Sequence, residues 1–391
     1  MKNKKKFILI FLIFFIFCDF SSGLVFAESN EKKEEIEESL NNTIQEQLNS
    51  LNFDSLENYL SNLSKEGLEI FNSHSFLEKI QMILSGDFGE KNVFQIIFSL
   101  FFDSIQKFLP FVGLIIAIAI LAGVIGDFKN FSIGNLTHFV CFGAIIVILF
   151  STTMSMVSMC GETIGQISGQ MEVVFPILLT VITAMGGSVG AQVYQPAVVV
   201  LTSIVANIFK FVLMPLFIFS LVFSIVGNLS SNVKIDKLSN FLNSIFKWVI
   251  GIVFTIFMGF LAIQGITAHS IDSITYKTAK FSISTYVPIL GGYLSEGLNV
   301  ILSSCLLVKN AIGASGLLLL FSTIIVPLVN LIVFMFLLKF LGAILEPIAD
   351  SKISNFISGI SKSFTMPIAC ILGVSFMYTI FVGLIMCLNV G

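Results

Sequence analysis

Residues 108–126 read FLPFVGLIIAIAILAGVIG, an apolar run with no charge anywhere between Phe108 and Gly126. A helix rising 1.5 Å per residue needs about 20 such residues to cross a hydrocarbon core about 30 Å thick. Five more runs of this kind occur near 137–158, 197–227, 247–268, 316–345 and 364–388. Two further apolar stretches, near 173–191 and 286–312, are interrupted. The first contains Pro176 and the pair Gly186-Gly187; the second contains Pro288, Gly291-Gly292, Glu296 and Lys309. The fold class these runs predict is all-α, a polytopic helical membrane protein whose transmembrane body occupies residues 94–391.

Composition agrees. Of 391 residues, 55% are hydrophobic and only 12% are charged, about half the charged share of an ordinary soluble domain. Mean hydropathy is +0.96. A water-soluble globule of this size has too little interior for so much apolar surface. All 21 basic residues are Lys, so bidentate Arg recognition of phosphate or carboxylate is absent. Net charge is −3 without a basic region, which argues against nucleic acid as a partner.

The N-terminus reads as an address. Lys2, Lys4, Lys5 and Lys6 form a positive region, Phe7 to Phe17 is unbroken apolar sequence, and Val25-Phe26-Ala27 resembles a cleavage site. Residues 1–27 are therefore expected to be a signal peptide, the alternative being an uncleaved anchor. Residues 28–93 carry 14 Asp and Glu against 5 Lys. Their apolar residues Ile36, Leu40, Ile44, Leu48 and Leu51 recur every four or three positions, one stripe of an amphipathic helix. This acidic extracytoplasmic region would lie on the membrane surface or dock a partner.

Charge placement suggests how the apolar stretches are threaded, because Lys-bearing loops favour the cytoplasmic side. With 28–93 outside, six full spans put Lys234, Lys237 and Lys247 inside only if 173–191 dips in and returns. The same logic at 286–312 puts Lys339, Lys352 and Lys362 inside. The expectation is six spans and two re-entrant segments that turn at Gly186, Gly187, Gly291 and Gly292. In this reading Glu162 and Glu172 lie in a loop, and Lys237, Lys247, Lys352 and Lys362 flank two cytoplasmic connectors. Eight full spans is the alternative.

The two halves echo each other. Phe175-Pro176-Ile177-Leu178 matches Val287-Pro288-Ile289-Leu290, and Pro215-Leu216 matches Pro327-Leu328. Residues 237–247 and 352–362 share six of eleven positions. These matches suggest repeats at 173–268 and 285–388. Parallel repeats of this kind occur in transporters and channels, so a stand-alone secondary transporter is an alternative reading.

Candidate functional residues are polar groups in apolar surroundings. A Lys at mid-bilayer costs about 2.5–3.5 kcal/mol on insertion scales. Lys309 and Asn310 lie deep in such a stretch, and Lys277 and Lys280, three residues apart, share a helix face before it. Together they suggest a polar vestibule. Catalysis has little support: His74, His138 and His269 lack metal-ligand spacing, and phosphate-loop and nucleophile-elbow motifs are missing. No metal and no cofactor is expected. The cysteines read as small hydrophobes.

Short motifs punctuate 195–313: Gln195-Pro196-Ala197, Asn228-Leu229-Ser230, Lys237-Leu238-Ser239, Lys247-Trp248, Gln264-Gly265, Lys277-Thr278-Ala279-Lys280-Phe281 and Lys309-Asn310-Ala311-Ile312-Gly313. In this order and spacing the stretch resembles the stage III sporulation protein AE family of endospore-forming bacteria. The resemblance implies a membrane component of a channel-like or secretion-like complex between mother cell and forespore. Its partners would be the other membrane proteins of that complex, the bilayer and further copies of itself. Its place would be the mother-cell-derived outer forespore membrane, with the acidic leader in the intermembrane space. The complex would support late forespore gene expression.

Overall fold

A computed structural model describes residues 42–48, 51, 93–126, 131–185, 200–201, 203–229, 238–262, 291–347 and 351–387. The chain divides into two units between Asn42 and Thr43, and the helical bundle belongs to the second. The expected signal peptide, most of the acidic leader, Gly186, Gly187, Lys237, Lys277 and Lys280 lie outside the described residues. Among the described residues the secondary structure is helical and contains no strand.

The helices are α1 (Val93–Gly126), α2 (Phe131–Ala184), α3 (203–229), α4 (Leu238–Ala262), α5 (Gly291–Leu345), α6 (Ser351–Ser363) and α7 (Thr365–Cys387). A short helical piece at 43–48 precedes them. Six stretches are long and apolar enough to cross a membrane: Ile97–Val124, Phe139–Ala184, Ser203–Phe223, Leu238–Ala262, Val300–Leu345 and Ile353–Cys387. The protein is a multi-pass helical membrane protein.

Side-chain contacts fix the directions of α1, α2, α3, α5 and α7. Met159 of α2 lies against Asn330 of α5, Gln170 against Leu319, and Val174 against Gly316. The numbers rise on one helix and fall on the other, so α2 and α5 are antiparallel. Ser104 meets Asn330 while Phe108 and Phe111 meet Phe334, so α1 and α5 run together. Phe209 meets Gly373 and Phe217 meets Phe364, so α3 opposes α7. Cys160 meets Pro367 and Phe175 meets Phe381, so α2 and α7 run together. Helices α1, α3 and α5 therefore point one way, and α2 and α7 the other. The C-terminal ends of α3 and α5 lie at one end of the bundle.

Three details correct the expectations from sequence. First, α2 runs without a break through 158–173, so Glu162 and Glu172 sit on a helix and not in a loop. Residues 173–184, expected to begin a separate dip, are its last turns. Second, α5 is continuous from Gly291 to Leu345, so the stretch expected to turn back within 286–312 is helical from Gly291 and flows into the next span. Gly291 and Gly292 occupy its first turn. The physical reason is continuous lateral packing: the two helices, each about 80 Å long at 1.5 Å per residue, support each other past Pro176 and Pro327. The carbonyl of Pro176 itself accepts a hydrogen bond from Thr180 Oγ1 at 2.8 Å.

Third, the connector 352–362, expected as a link between spans, is a helix packed along its neighbour. It forms α6, which stands alongside the end of α5. Ser354 Oγ donates to the Gly342 carbonyl at 2.8 Å, and Ser361 Oγ to the Met335 carbonyl at 2.9 Å. Its apolar stripe of Ile353, Phe356, Ile357 and Ile360 is buried. After a single turn residue, Phe364, α7 continues in the same direction. Tyr378 still faces Gly316 and Met386 still faces Gly313, so α6 and α7 together track α5 for most of its length.

Candidate functional site

The centre of the bundle is a polar and small-residue stripe on α5. Lys309, Gly316, Thr323 and Asn330 recur every seven residues, close to two helical turns, and so share one face. Asn330 accepts from Ser104 Oγ at 2.8 Å and donates through Nδ2 to Met159 Sδ at 3.8 Å, tying α1, α5 and α2 at one node. Gln170 of α2 donates through Nε2 to Thr323 Oγ1 and to the Leu319 carbonyl, the latter at 3.4 Å. Tyr378 of α7 donates through its hydroxyl to the Gly316 carbonyl at 3.2 Å. In hydrocarbon, small residues let helices approach and polar side chains bond across them. The stripe does both.

Glycine makes room for close approach at Gly316 of the stripe and at Gly313 three residues before it. A Cβ on Gly316 would lie 3.1 Å from both Tyr378 Oη and Val174 Cγ1, so α2 and α7 close on it from two sides. A Cβ on Gly313 would fall 2.6 Å from Met386 Cγ. The stripe thus builds a three-helix seam of α2, α5 and α7, lined by Phe175, Tyr378 and Phe381 in edge and tilted contacts.

Residues singled out from sequence occupy different settings. Lys309 is fully enclosed, with 0% exposure, whereas Asn310 beside it faces outward. They point in different directions, as neighbours on a helix must. Lys247 and Lys362 are exposed, on α4 and α6, and Lys352 lies in the first turn of α6. Of the motif shared by 237–247 and 352–362, one copy forms the first turns of α4 and the other forms α6. Reading by local motif passed over Gly316, Thr323 and Asn330. Their seven-residue spacing from Lys309 was the signal that could have found them. Cys141, Cys160, Cys305 and Cys370 are buried free thiols, and Cys387 is an exposed one. Gln47 of the short leader helix donates to Cys305 Sγ at 3.1 Å, which sets that helix toward the N-terminal part of α5.

The model of the family described as stage III sporulation protein AE matches residues 72–389, nearly the whole membrane body. The chain belongs to this family. A relative named stage III sporulation protein AE from Bacillus subtilis (strain 168) is 25% identical over 301 residues, covering 75% of each chain. No solved structure matches. Family membership assigns a sporulation-related role, and the match over 72–389 takes in every helix from α1 to α7.

Proposed function

We propose that this chain is a multi-pass subunit of a channel-like complex that joins mother cell and forespore. It would sit in the mother-cell-derived outer forespore membrane, with its acidic leader in the intermembrane space. The observation that carries this reading is family membership over nearly all of the membrane body. The arrangement of the ends supports it. The short leader helix packs toward one end of α5, while α6 and the end of α3 gather at the other. Each aqueous side thus has its own surface for a neighbouring subunit.

The chain acts by assembly and passage, with no catalytic step of its own. The test is deletion combined with crosslinking in sporulating cells. Photo-crosslinkers at Glu46 and at Lys362 should capture different sporulation membrane proteins. Deletion should arrest spore development after engulfment without affecting vegetative growth. A vegetative defect of equal size, or capture of nothing from either position, would overturn the reading.

A further inference from the structure

One stretch of the bundle has its polarity inverted for a membrane helix. Between Ser151 and Glu172 the exposed side of α2 carries Ser155, Ser158, Glu162, Gln166 and Glu172. Its opposite side is buried and mostly apolar, with Met156, Cys160, Ile164, Ile167 and Met171 beside the uncharged Thr153, Thr163, Ser168 and Gln170. This stretch is not outside the membrane body. Cys160 is level with Pro367 and Phe175 with Tyr378, so it lies beside Pro367–Tyr378, the middle of an apolar span. Ser158 Oγ donates to Glu162 Oε1 at 3.0 Å, but a hydroxyl does not neutralise a carboxylate. A charge turned to lipid at such a depth costs about 2.5–3.5 kcal/mol on insertion scales.

The same face holds Gly161, Gly165 and Gly169, a glycine at every fourth residue. That spacing lets a second helix approach closely in a membrane. Among the described residues two of them accommodate nothing: a Cβ on Gly161 or on Gly165 would meet no atom within 4 Å. They differ in this from Gly313 and Gly316, whose small size is used by neighbours.

A base sits at the same depth. Residues Phe209–Leu213 of α3 form a π-helical turn that packs against α2. Such turns often mark functional positions. Phe209 is buried against Gly373, which lies between Pro367 and Tyr378. Lys210, next in the chain, is exposed at that level, between the levels of Glu162 and Glu172. Among the described residues no acidic side chain forms an ion pair with it. Its ammonium lies 5.7 Å from the ring centroid of its chain neighbour Phe211.

We propose that two copies of this chain pair through the outer face of α2, glycine face to glycine face, with Lys210 of each protomer meeting Glu162 or Glu172 of its partner. A two-fold axis along the membrane normal keeps every residue at its own depth. Acid and base that share a level on one chain therefore meet across the axis, and each pair forms twice. A second copy is the occupant that this charge pattern fits, because one chain supplies both signs at one depth.

The test uses the full-length chain in native membranes, with Cys387→Ser as parent. Gly165→Cys should give a disulfide-linked dimer on mild oxidation, several-fold above the parent. Ile256→Cys, exposed on α4, should stay at the parent level. Gly165→Leu has room within the protomer, so it should keep its protease resistance while losing at least ten-fold of the dimer. Lys210→Glu should weaken the dimer, and adding Glu162→Lys and Glu172→Lys should restore it. Equal crosslinking at positions 165 and 256, an undiminished dimer in a folded Gly165→Leu chain, or crosslinking only to another protein or within one chain would overturn the proposal.

Discussion

Tyr378 of α7 donates its hydroxyl hydrogen to the carbonyl of Gly316 on α5, 3.2 Å away, at a place where Val174 of α2 also closes in. The contact joins a hydrogen bond to a close approach, and the two contributions can be separated. Tyr378→Phe keeps the ring and loses the bond. Interhelical hydrogen bonds in membranes average about 0.6 kcal/mol, so the thermal midpoint in detergent should fall only slightly. Gly316→Val forces branched carbons against Tyr378 and Val174 and should cost about 1–3 kcal/mol, the usual range for overpacking. A larger loss for the Tyr variant than for the Gly variant would show that the seam is held by the bond and not by the fit.

Asn330 bonds to two helices at once, so its removal should be felt more widely. Asn330→Ala leaves buried Ser104 without its acceptor and opens a gap beside Met159. The expected loss is about 1–3 kcal/mol, the range for an orphaned buried polar group. Ser104→Ala leaves Asn330 with its Met159 contact and should cost less. In a double variant the two losses should fall short of adding, because they share one interaction. Proteolysis sites in α1 should open first, since Ser104 is the polar tie of that helix to α5.

Much of the architecture was legible because apolar length is a strong signal. The run at 108–126 lies within α1, and the six stretches with spanning length correspond to the six runs read from sequence. What could not be read was where one helix ends and the next begins. Pro176, the pair Gly291-Gly292 and the charges Glu162 and Glu172 are each reasonable loop markers in a water-exposed chain. Around Glu162, Glu172 and Pro176, α2 and α5 support one another over many turns, and there tertiary burial outweighs local preference. The same holds for α6. Its sequence read as a Lys-flanked connector between spans, yet Ile353, Phe356, Ile357 and Ile360 are buried against protein. The site was half legible. Lys309 stood out as a charge in apolar sequence, while Gly316, Thr323 and Asn330 acquire meaning only once α2 and α7 lie against them.

Neighbouring residues on α5 give a sharp accessibility contrast. Lys309 is enclosed and Asn310 faces outward, so Cys variants at the two positions should differ in reactivity. A small membrane-permeant thiol reagent should modify Asn310→Cys in the folded protein, and Lys309→Cys only after denaturation. If both react equally in the folded chain, Lys309 lines an open vestibule and the enclosed arrangement is wrong. Lys309→Met tests the same point energetically, and the folded chain should tolerate it because length and apolar stem are retained.

The shared direction of α3 and α5 yields a prediction about membrane sidedness that does not depend on any segment turning back. Both helices oppose α7, one through Phe209 and Phe217, the other through Gly313 and Gly316. Their C-terminal ends must therefore emerge on one side of the bilayer. Reporters inserted near Lys234 and after Glu346 should be read from the same compartment. Lys234 and Lys237 follow α3 in sequence, Lys247 lies in the first turns of α4, and Lys339, Lys352 and Lys362 flank the end of α5, a clustering that favours the cytoplasmic side. A reporter in the leader near residue 42 should be read from the opposite compartment, since Gln47 packs toward the other end of α5. Reporters near Lys234 and Glu346 that fall on opposite sides would contradict the directions assigned to α3, α5 and α7. They would also remove the common end at which α6 meets α3.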